Sequence, residues 1–483
     1  MKLKILIKDI PSLQIRGNKD AMIKGISANS KNVGPGFLFL VKQGKSFDGS
    51  NFIKEALQGG ASVILSQNYH PFLEGITQLI HPHPALLERI LTERFYDTPA
   101  KKLKIMGVTG TNGKTTVTYL IRYLLEKAKK GCGLIGTIEW SAGSKVYTPT
   151  HTTPDIMMLN RLFSDMVLAR QTYVAIEVTS HALSQNRIEG VDMHTAIFTN
   201  LSQDHLDYHK TLDDYARAKA SLFERLSSSS FAIINQDDSY SSLMIKGCRA
   251  HIYSYGIDQA ATLKASHLIM SAKGMEFRVT WKGEQETFKT QLIGKFNVYN
   301  ILAALTACLI EGLTLQDMKL ALAEFKGIPG RLERVPNVKK LPIFVDYAHT
   351  PDALENVLKT LQELKDKGRI ITVYGCGGDR DASKRPLMGK IAEEGSDIAI
   401  LTTDNPRKED AREIASQVLK GCTFPEKMIV ELDRKAAIYE AVRLAKPQDI
   451  ILIAGKGHEK TQVFAYRTVS FDDCLIAQEA CRS

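Results

Sequence analysis

Short apolar runs alternate with longer amphipathic stretches over most of this chain. From Leu103 onward, the runs Tyr173–Val178 and Thr195–Thr199 are typical, because each is largely apolar and is followed by polar residues. Strands that are buried on both faces of a parallel sheet have this pattern, and functional side chains gather where such strands end. The alternation therefore predicts an α/β fold built from strand–helix units.

Two breaks in this pattern divide the chain into three regions. The first region has short mixed segments, with strand-like runs at Phe37–Val41 and Ala61–Leu65. The polar stretch Asp97–Lys102 contains a proline and predicts a linker, and a second boundary falls near Gly327–Arg331. Beyond it, apolar runs again precede turns rich in Gly, Asp or Asn, at Ile343–Asp346, Ile370–Tyr374, Ile398–Leu401 and Ile450–Ile453.

These breaks predict three domains, since 483 residues are too many for one hydrophobic core. We expect a small N-terminal α/β domain over residues 1–98. A central domain with a mostly parallel sheet is expected over 99–330. The remaining residues, 331–483, are expected to form a doubly wound, Rossmann-like domain.

The segment Thr109–Val117 has the order of a phosphate-binding loop. It follows an apolar run and opens a helical stretch with apolar side chains on one face, at Val117, Leu120, Ile121, Leu124 and Leu125. In such a turn, backbone N–H groups and the helix N-terminus face phosphate oxygens. Lys114 can reach the outer phosphates, and the Thr115 hydroxyl can bind Mg²⁺. The spacing is unusual, because five residues rather than four separate Gly107 from Gly113.

The composition is ordinary for a soluble globular protein, with 44% hydrophobic and 24% charged residues. No apolar run reaches the roughly 18 residues of a membrane span, and charges within Met1–Asp9 come too early for a signal peptide. Seven scattered cysteines without a Cys-x-x-Cys motif favour a reducing compartment and disfavour a zinc site. The expected location is the cytoplasm.

The net charge of +10 leaves two classes of ligand open. A basic protein can bind nucleic acid, but the basic residues here are spread along the chain and form no block. A small substrate with several negative charges would account for the same excess.

Glu177 ends one predicted strand, and His205 lies just after the next one. A carboxylate and an imidazole at neighbouring strand ends suit a divalent cation beside nucleotide phosphates. The alternative is that His181, His205 and His209 lie on the surface or cap helices. Lys219, taken by its pattern alone, is typical of a solvated lysine on a helix.

Three loops follow strands of the C-terminal region. Gly375–Asp381 resembles half of a dinucleotide-binding fingerprint, but Arg380 replaces its last glycine, so a redox cofactor is disfavoured. Arg380 and Lys384 are better placed to face an anion. Together with Asp404–Arg407 and Gly455–Glu459, these loops carry charges of both signs and predict a site for a small zwitterion. The alternative is that they are ordinary turns.

Three motifs together resemble the Mur ligase family, whose members add amino acids to the peptide of the peptidoglycan precursor. They are Gly110–Thr116, Glu177–Leu183 and Asp204–His209, and the resemblance runs from about residue 26 to the C-terminus. Asp404–Arg407 is similar to the signature of members that add meso-2,6-diaminopimelate. The resemblance implies three domains that bind, in order, the UDP-sugar, ATP and the amino acid.

The resemblance also implies a binding site for the UDP-muramoyl dipeptide in the first half of the chain. The sequence departs from the family pattern with Asn29 and Lys31 around Ser30, with His151, and with Thr179 where serine is usual. The matching positions are Ala28, Ser30, Lys45, Ser46, Phe47, Thr152, Thr153, Thr179, Gln185 and Arg187.

Further matches imply the ATP site, the amino-acid site and two Mg²⁺ ions. The ATP positions are Gly110, Thr111, Asn112, Gly113, Lys114, Thr115, Thr116, Asn297, Asn300, Arg331, Asp346 and His349. The diaminopimelate positions are Arg380, Asp404, Asn405, Pro406, Arg407, Gly455 and Glu459. The metal ligands are Thr115, Glu177, His205 and Lys219, the last as a carbamylated lysine, and the catalytic residues are Lys114, Glu177, His205 and Lys219.

The implied activity is ATP-dependent amide formation through an acyl phosphate. The expected partners are small molecules, with neither nucleic acid nor a membrane, and a monomer is expected. Two alternatives remain: a lysine-adding relative, and a nucleic-acid-dependent P-loop ATPase, which the basic charge suggests.

Overall fold

The computed structural model describes residues 1–42 and 48–483. These residues form two compact units, one comprising residues 1–107 and 130–195 and the other comprising 108–129 and 196–483. The chain therefore passes from one unit to the other three times. Within the described ranges, no helix has both the length and the apolar character needed to cross a membrane.

The first unit begins with a five-stranded sheet in the order β1-β5-β4-β3-β2. Its strands are parallel except for β1, which pairs antiparallel with β5. Leu38 and Leu40 lie in one buried cluster and Phe39 in another, because successive strand residues face opposite sides of a sheet. The elements are α1 Leu3–Leu6, β1 Gln14–Arg16, β2 Gly25–Ser27, β3 Phe37–Leu40, α2 Ile53–Gln58, β4 Ala61–Ser66, β5 Thr77–Ile80 and α3 Leu87–Phe95.

The predicted linker at Asp97–Lys102 contains a short 3₁₀ turn, Pro99–Lys102, and the side chain of Pro99 is buried. β6 (Lys104–Thr109) follows it and leads to the phosphate loop.

The first unit also holds β7 Cys132–Ile135, β8 Trp140–Ala142, β9 Lys145–Tyr147, α5 Ile156–Leu168, β10 Tyr173–Glu177 and α6 Ser180–Ser184. β10 pairs parallel with β7, and β7, β8 and β9 form an antiparallel meander. The predicted strand near residue 173 is confirmed, and Glu177 is its last residue.

The second unit begins within β6 and continues into α4 (Lys114–Lys127), whose predicted apolar face is buried. α10 (Lys295–Ile310) packs against α4 and is buried along most of its length, as expected for a helix that is apolar all round. Between them lie β11 Thr195–Phe198, α7 Leu206–His209, α8 Leu212–Glu224, β12 Phe231–Asn235, α9 Ser241–Met244 and β13 His251–Gly256.

The sheet around β12 is less parallel than the sequence predicts. β12 pairs parallel with β13, and β13 with β14, but β14 Leu263–Ser271, β15 Gly274–Trp281 and β16 Glu284–Thr290 form an antiparallel meander. Buried and less buried positions alternate along β15. Such strands have one wet face and lack the continuous apolar runs that mark parallel strands.

The C-terminal part of the second unit is a doubly wound sheet in the order β17-β18-β22-β19-β20-β21. Only β17 is antiparallel to its neighbour. Val345 belongs to one buried cluster and Phe344 to the other, so helices cover both faces. The four predicted strands are confirmed as β18 Ile343–Asp346, β19 Ile370–Tyr374, β20 Ile398–Leu401 and β22 Ile450–Ala454.

The remaining strands of this part are β17 Glu333–Arg334, β21 Ile429–Val430, β23 Thr461–Val463 and β24 Thr468–Ser470, of which the last two form an antiparallel hairpin. The remaining helices are α11 Leu315–Ala323, α12 Pro351–Leu364, α13 Lys384–Gly395, α14 Ala411–Leu419, α15 Arg434–Leu444 and α16 Asp473–Arg482.

Candidate active site

Two glycines shape the loop between β6 and α4. Gly110 and Gly113 have φ angles of +151° and +87°, in the range that favours glycine. A Cβ atom on Gly110 would collide with the hydroxyl of Thr199, and one on Gly113 with the amide oxygen of Asn300. The loop is therefore packed tightly from two sides, and only its backbone fits there.

The Lys114 ammonium lies over this loop. Its Nζ donates hydrogen bonds to Gly110 O at 2.9 Å and Thr111 O at 2.8 Å. Because Lys114 is the first residue of α4, its ammonium lies at the helix N-terminus. The helix dipole favours a bound anion at the same place. The predicted phosphate-binding lysine thus has the position that the sequence order implies.

Residues after β11 hold the loop in place. Thr199 Oγ1 donates to Asn112 O at 2.6 Å, and Asn112 N donates to Asn200 Oδ1 at 2.9 Å. Ser202 N donates to Thr111 Oγ1 at 3.0 Å. These supporting residues are not among the predicted site residues. Their position just after an apolar run is a sequence signal that could have identified them.

Lys219 is buried beneath the same loop, with only 1% of its surface exposed. Its Nζ donates to Gly110 O at 2.8 Å and lies 4.3 Å from the centroid of the Tyr215 ring. Burial, with the charge of Lys114 as a second cause, lowers the pKa of Lys219 well below its usual value. The pattern-based prediction of a solvated lysine is therefore wrong, because α8 turns this residue into the interior.

His205 lies beside Asp204 near the same tyrosine. The Nε2 of His205 is 3.4 Å from Asp204 Oδ2, and its ring is 6.2 Å from that of Tyr215. The ring of His209, which is buried, lies 5.2 Å from Tyr215. His205 is exposed and has a left-handed backbone with φ of +55°. Its imidazole is therefore accessible from the solvent side of the loop.

Arg331 connects the C-terminal part of this unit to the loop. Its Nη2 donates to Thr115 Oγ1 at 3.2 Å, and its Cζ lies 4.8 Å from the centroid of Tyr347. Asp346, at the end of β18, accepts hydrogen bonds from Leu332 N and from Ala348 N. Burial raises the pKa of Asp346, and the charge of Arg331 opposes this rise. Arg331 therefore contacts the phosphate loop directly. Asp346 holds the backbone of Leu332, the residue next to Arg331.

Asp352, near the start of α12, also contacts the loop. Its Oδ2 accepts a hydrogen bond from Asn112 Nδ2 at 2.8 Å and another from Ser202 Oγ at 3.0 Å. A carboxylate thus faces a loop whose chemistry suits phosphate. Asp352 is not among the residues predicted from the sequence.

The predicted asparagines lie in the first half of α10, and Asn300 is next to Gly113. Asn297 Nδ2 donates to Ile293 O at 2.8 Å, and Asn300 Nδ2 donates to Asn297 Oδ1 at 3.0 Å. His349 Nδ1 lies 2.8 Å from Tyr347 O. All the predicted ATP residues therefore lie in one compact unit.

The three predicted loops of the amino-acid site also meet. Gly378 N donates to Asn405 O at 2.9 Å, and Arg407 Nη1 donates to Gly378 O at 2.7 Å. Asn405 Nδ2 donates to Glu459 Oε2 at 2.8 Å. The parallel strands β19, β20 and β22 bring these loops together, because their C-terminal ends lie at one edge of the sheet.

Asp404 is the central anion of this cluster. Its side chain is buried, and its Oδ2 has no hydrogen-bond partner among the residues that the structure describes. A Cβ atom on Gly455 would lie 2.6 Å from that oxygen, so glycine leaves the carboxylate open on this side. A buried carboxylate oxygen without a partner is costly, and a ligand cation would satisfy it.

Lys456 is a fully buried cation that the sequence analysis did not identify. Its Nζ donates to Asn405 Oδ1 at 3.1 Å and to Glu459 Oε2 at 2.9 Å. Burial by itself would raise the pKa of Glu459, but Lys456 and Asn405 outweigh it and lower that pKa. Glu459 is therefore ionised and already has a cation beside it.

Arg385, rather than Arg380, is the buried arginine near the glycine loop. Arg380 is exposed and donates to Asp379 O, whereas Arg385 forms a two-pronged pair with Glu409 at 2.7 and 2.9 Å. Arg385 Nη2 also donates to Gly377 O. This pair, in which Arg385 is buried and Glu409 is partly exposed, links the glycine loop to the segment that follows Arg407.

In the first unit, Glu177 is held by a residue that the sequence analysis missed. Thr137 N donates to Glu177 Oε1 at 2.8 Å, and Thr137 Oγ1 donates to Glu177 Oε2 at 3.0 Å. A Cβ atom on Gly136 would collide with the same carboxylate. The only sequence signal for Thr137 is its place just after an apolar run.

The predicted dipeptide-binding residues between 152 and 187 are neighbours. Thr153 Oγ1 donates to Glu177 O at 2.7 Å and lies 3.3 Å from Thr179 Oγ1. Arg187 Nη1 donates to Thr153 O at 3.0 Å, and its Nη2 donates to Gln185 Oε1 at 2.6 Å. Thr152 Oγ1 lies 3.2 Å from Thr137 Oγ1.

The N-terminal positions are less fully described. Ser30 is buried and donates a short hydrogen bond to Glu55, and Ala28 packs against the core below β2. Lys45, Ser46 and Phe47 lie outside the described residues.

Models of three protein families match this chain. They are "Mur ligase family, catalytic domain" at residues 22–90, "Mur ligase middle domain" at 108–308, and "Mur ligase, glutamate ligase domain" at 330–457. Similar curated proteins carry the name UDP-N-acetylmuramoyl-L-alanyl-D-glutamate–2,6-diaminopimelate ligase. The one from Clostridium botulinum is 42% identical over 99% of both chains. The one from Geobacillus kaustophilus is 40% identical over 100% of this chain and 99% of its own.

Solved structures agree in fold. A structure titled as a UDP-N-acetylmuramoyl-L-alanyl-D-glutamate–2,6-diaminopimelate ligase is 33% identical and superposes with a TM-score of 0.69, covering 100% of this chain and 99% of its own. Folylpolyglutamate synthase from Mycobacterium tuberculosis, in complex with ADP and AMPPCP, is 18% identical with a TM-score of 0.62, covering 77% of this chain and 92% of its own. At that identity the likeness concerns the fold alone.

The fold and the phosphate loop define an ATP-using ligase with a three-part α/β architecture, as the sequence predicts. The chain belongs to the Mur ligase family. Its co-substrate is ATP, and its substrates are small molecules.

Proposed function

We propose that this enzyme joins meso-2,6-diaminopimelate to UDP-N-acetylmuramoyl-L-alanyl-D-glutamate during peptidoglycan synthesis, with conversion of ATP to ADP and phosphate. The observation that carries the proposal is the cluster around Asp404. An open buried carboxylate, the guanidinium of Arg407 and the carboxylate of Glu459 meet in the unit that also holds the phosphate loop. The names of the relatives at about 40% identity support the same substrate.

The amino-acid substrate offers two ammonium and two carboxylate groups to such a cluster. Asp404 and Glu459 suit an ammonium, and Arg407 offers a planar fork to a carboxylate. Lysine lacks the second carboxylate, so Arg407 is the proposed discriminator. The full proposed set is Arg380, Asp404, Asn405, Pro406, Arg407, Gly455 and Glu459.

The remaining site assignments follow the same proposal. ATP is held by Gly110–Thr116, Asn297, Asn300, Arg331, Asp346 and His349. The UDP-muramoyl dipeptide is held by Ala28, Ser30, Lys45, Ser46, Phe47, Thr152, Thr153, Thr179, Gln185 and Arg187. Three domains with boundaries near residues 98 and 330, a monomeric enzyme and a cytoplasmic location complete the proposal.

Two Mg²⁺ ions are proposed, with Thr115, Glu177, His205 and carbamylated Lys219 as protein ligands. Among the described residues, no three His, Cys, Asp or Glu side chains cluster as a ready metal site. A carbamate on Lys219 would add the missing anion. The buried, low-pKa amine of Lys219 fits this chemistry, because a neutral amine adds to CO₂, forms an N–C bond and releases one proton. Bound Mg²⁺ would neutralise negative charge on the transferring phosphoryl group.

The proposed reaction has two steps. A carboxylate oxygen of the D-Glu residue attacks the γ-phosphorus of ATP, the bond to the bridging oxygen of ADP breaks, and an acyl phosphate forms. The amine of diaminopimelate then attacks the acyl carbon, and the tetrahedral adduct loses phosphate and a proton to give the amide. Lys114 neutralises charge on the γ-phosphate, and Asp404 and Glu459 orient the amino acid.

One assay tests the proposal: amide formation from UDP-muramoyl-L-Ala-D-Glu, ATP and either diaminopimelate or lysine. We expect ADP release that depends on the dipeptide substrate and a tripeptide product with diaminopimelate. Product with lysine alone would reassign the substrate. ATP hydrolysis that needs nucleic acid and ignores the dipeptide would overturn the proposal.

A further inference from the structure

We propose that the hairpin of β23 and β24 is a specificity-determining element and that Gln462 is its positioning residue. The hairpin, residues 461–470, holds the amino-acid loop, residues 403–407, from the side. Gln462 acts through that loop and not on the ligand itself. The inference rests on the proposed amino-acid site and goes beyond it, because no residue of the hairpin belongs to that site.

The Gln462 amide is buried against the amino-acid loop. Only 5% of its surface is exposed, whereas its neighbour Thr461 faces solvent. Its Nε2 donates to Asp404 O at 2.9 Å and to Thr403 O at 3.3 Å. One side-chain amide thus holds two successive carbonyl groups of the amino-acid loop. A polar group is retained at such a buried position only when its hydrogen bonds are made.

The backbone of Val463, the next residue of the hairpin, also contacts the amino-acid loop. Val463 N donates to Asn405 Oδ1 at 3.0 Å, and Val463 O accepts from Arg407 N at 3.1 Å. Arg407 and Phe464 also form a parallel bridge. Residues 403, 404, 405 and 407 are therefore all tied to two consecutive residues of the hairpin.

The contact with the hairpin maintains an unusual backbone conformation at Arg407. Arg407 has φ of +53°, in the left-handed region. This conformation is unfavourable for a non-glycine residue and persists where the surroundings fix it. The hydrogen bond to Val463 O and the one from Arg407 Nη1 to Gly378 O fix both ends of this residue. The direction of the guanidinium thus depends on the hairpin.

The tip of the hairpin is exposed to solvent. A cleft of about 400 Å³ lies between the hairpin tip and the segment from Pro406 to Ala411. Tyr466 at the tip is fully exposed, and the Arg467 guanidinium lies 5.2 Å from the Phe464 ring. The stem of the hairpin thus holds the loop while its tip is open to solvent.

Because of these contacts, the position of the amino-acid loop depends on one donor, the side-chain amide of Gln462. Gln462→Glu keeps the shape of the side chain but turns an oxygen toward the carbonyls of Thr403 and Asp404. Gln462→Met removes the amide without adding a charge. Both variants should displace Asp404 and Arg407 and leave the nucleotide and dipeptide sites unchanged.

The experiment compares wild type, Gln462→Glu, Gln462→Met and the control Gln448→Glu, which makes the same chemical change at an exposed position. KM is measured for diaminopimelate, ATP and the UDP-dipeptide, together with kcat/KM for lysine and with Tm. For both Gln462 variants we expect the KM for diaminopimelate to rise about tenfold or more. The KM values for ATP and dipeptide should stay within about twofold, and the preference for diaminopimelate over lysine should shrink.

The outcomes separate the possible failures. Equal rises in all three KM values, or an unchanged KM for diaminopimelate in folded variants, would overturn the inference. If Gln462→Glu does not fold, Gln462→Met decides. If wild type joins lysine instead of diaminopimelate, the proposed substrate fails, and the hairpin is judged by the KM for lysine in the same variants.

Discussion

The phosphate loop and the amino-acid loop are positioned in different ways. The phosphate loop carries a signal within a few residues, namely glycines that no larger residue can replace and a helix that begins at Lys114, although residues after β11 also hold it in place. The amino-acid loop takes its shape from side chains far along the chain, including Lys456 and Gln462. Both loops rest on distant contacts, but the phosphate loop also has a local sequence signal, whereas the side chains that shape the amino-acid loop have none.

The largest effect should come from the phosphate loop. Lys114→Ala removes the cation that is proposed to balance charge on the transferring phosphoryl group, so we expect kcat to fall about a thousandfold or more. The measurement is dipeptide-dependent ADP release. Lys127→Ala, at the exposed end of the same helix, should keep wild-type turnover. Wild-type turnover in Lys114→Ala would mean that this loop does not hold the reacting phosphate.

Lys219→Ala should cost nearly as much, because it removes the proposed carbamate. In wild type, the lowered pKa keeps the amine neutral, and therefore open to CO₂, at lower pH than for an ordinary lysine. As the pH falls through that lowered pKa the amine takes up a proton, so carbamylation and activity should be lost on the acid side. Depletion of CO₂ should lower activity, and bicarbonate should restore it. Mass spectrometry that finds an unmodified lysine during turnover would refute the modification.

In the amino-acid loop, Arg407→Ala should change specificity. Loss of a charged, two-pronged contact should lower kcat/KM for diaminopimelate about a hundredfold and affect lysine much less. Arg412→Ala, an exposed arginine nearby, is the control. If both amino acids lose equally, Arg407 is not the discriminator, and the contrast between the two loops loses its clearest case.

The smallest effect should come from Asp352→Asn, where the C-terminal part of the unit meets the phosphate loop. Removing a carboxylate that contacts Asn112 should lessen repulsion of the ATP phosphates and lower the KM for ATP about threefold. Asp366→Asn, exposed after α12, provides the control. An increase in this KM would indicate that Asp352 supports nucleotide binding.

This contrast also explains what the sequence could predict. The phosphate loop, the strand ending at Glu177 and the four C-terminal strands follow from local pattern, since buried parallel strands are continuous apolar runs. The meander β14–β16 does not follow, because its half-exposed strands lack such runs.

The supporting side chains could not be predicted for another physical reason. Thr137, Lys456 and Gln462 matter through partners 40, 51 and 58 residues away. Local periodicity carries no information about those contacts. Lys219 is the clearest case: its pattern is that of a surface lysine, and only the packing of α8 buries it.

The carbonyl oxygen of Gly110 accepts hydrogen bonds from two lysines, Lys114 and Lys219. Burial, with the charge of Lys114 as a second cause, lowers the pKa of Lys219, so this amine gives up its proton at a lower pH than an ordinary lysine does. One peptide oxygen thus holds two chemically identical amines, and the burial of Lys219 favours the neutral form of that amine. In the proposed mechanism, Lys114 serves the phosphate and Lys219 captures CO₂, so the two roles share one carbonyl group.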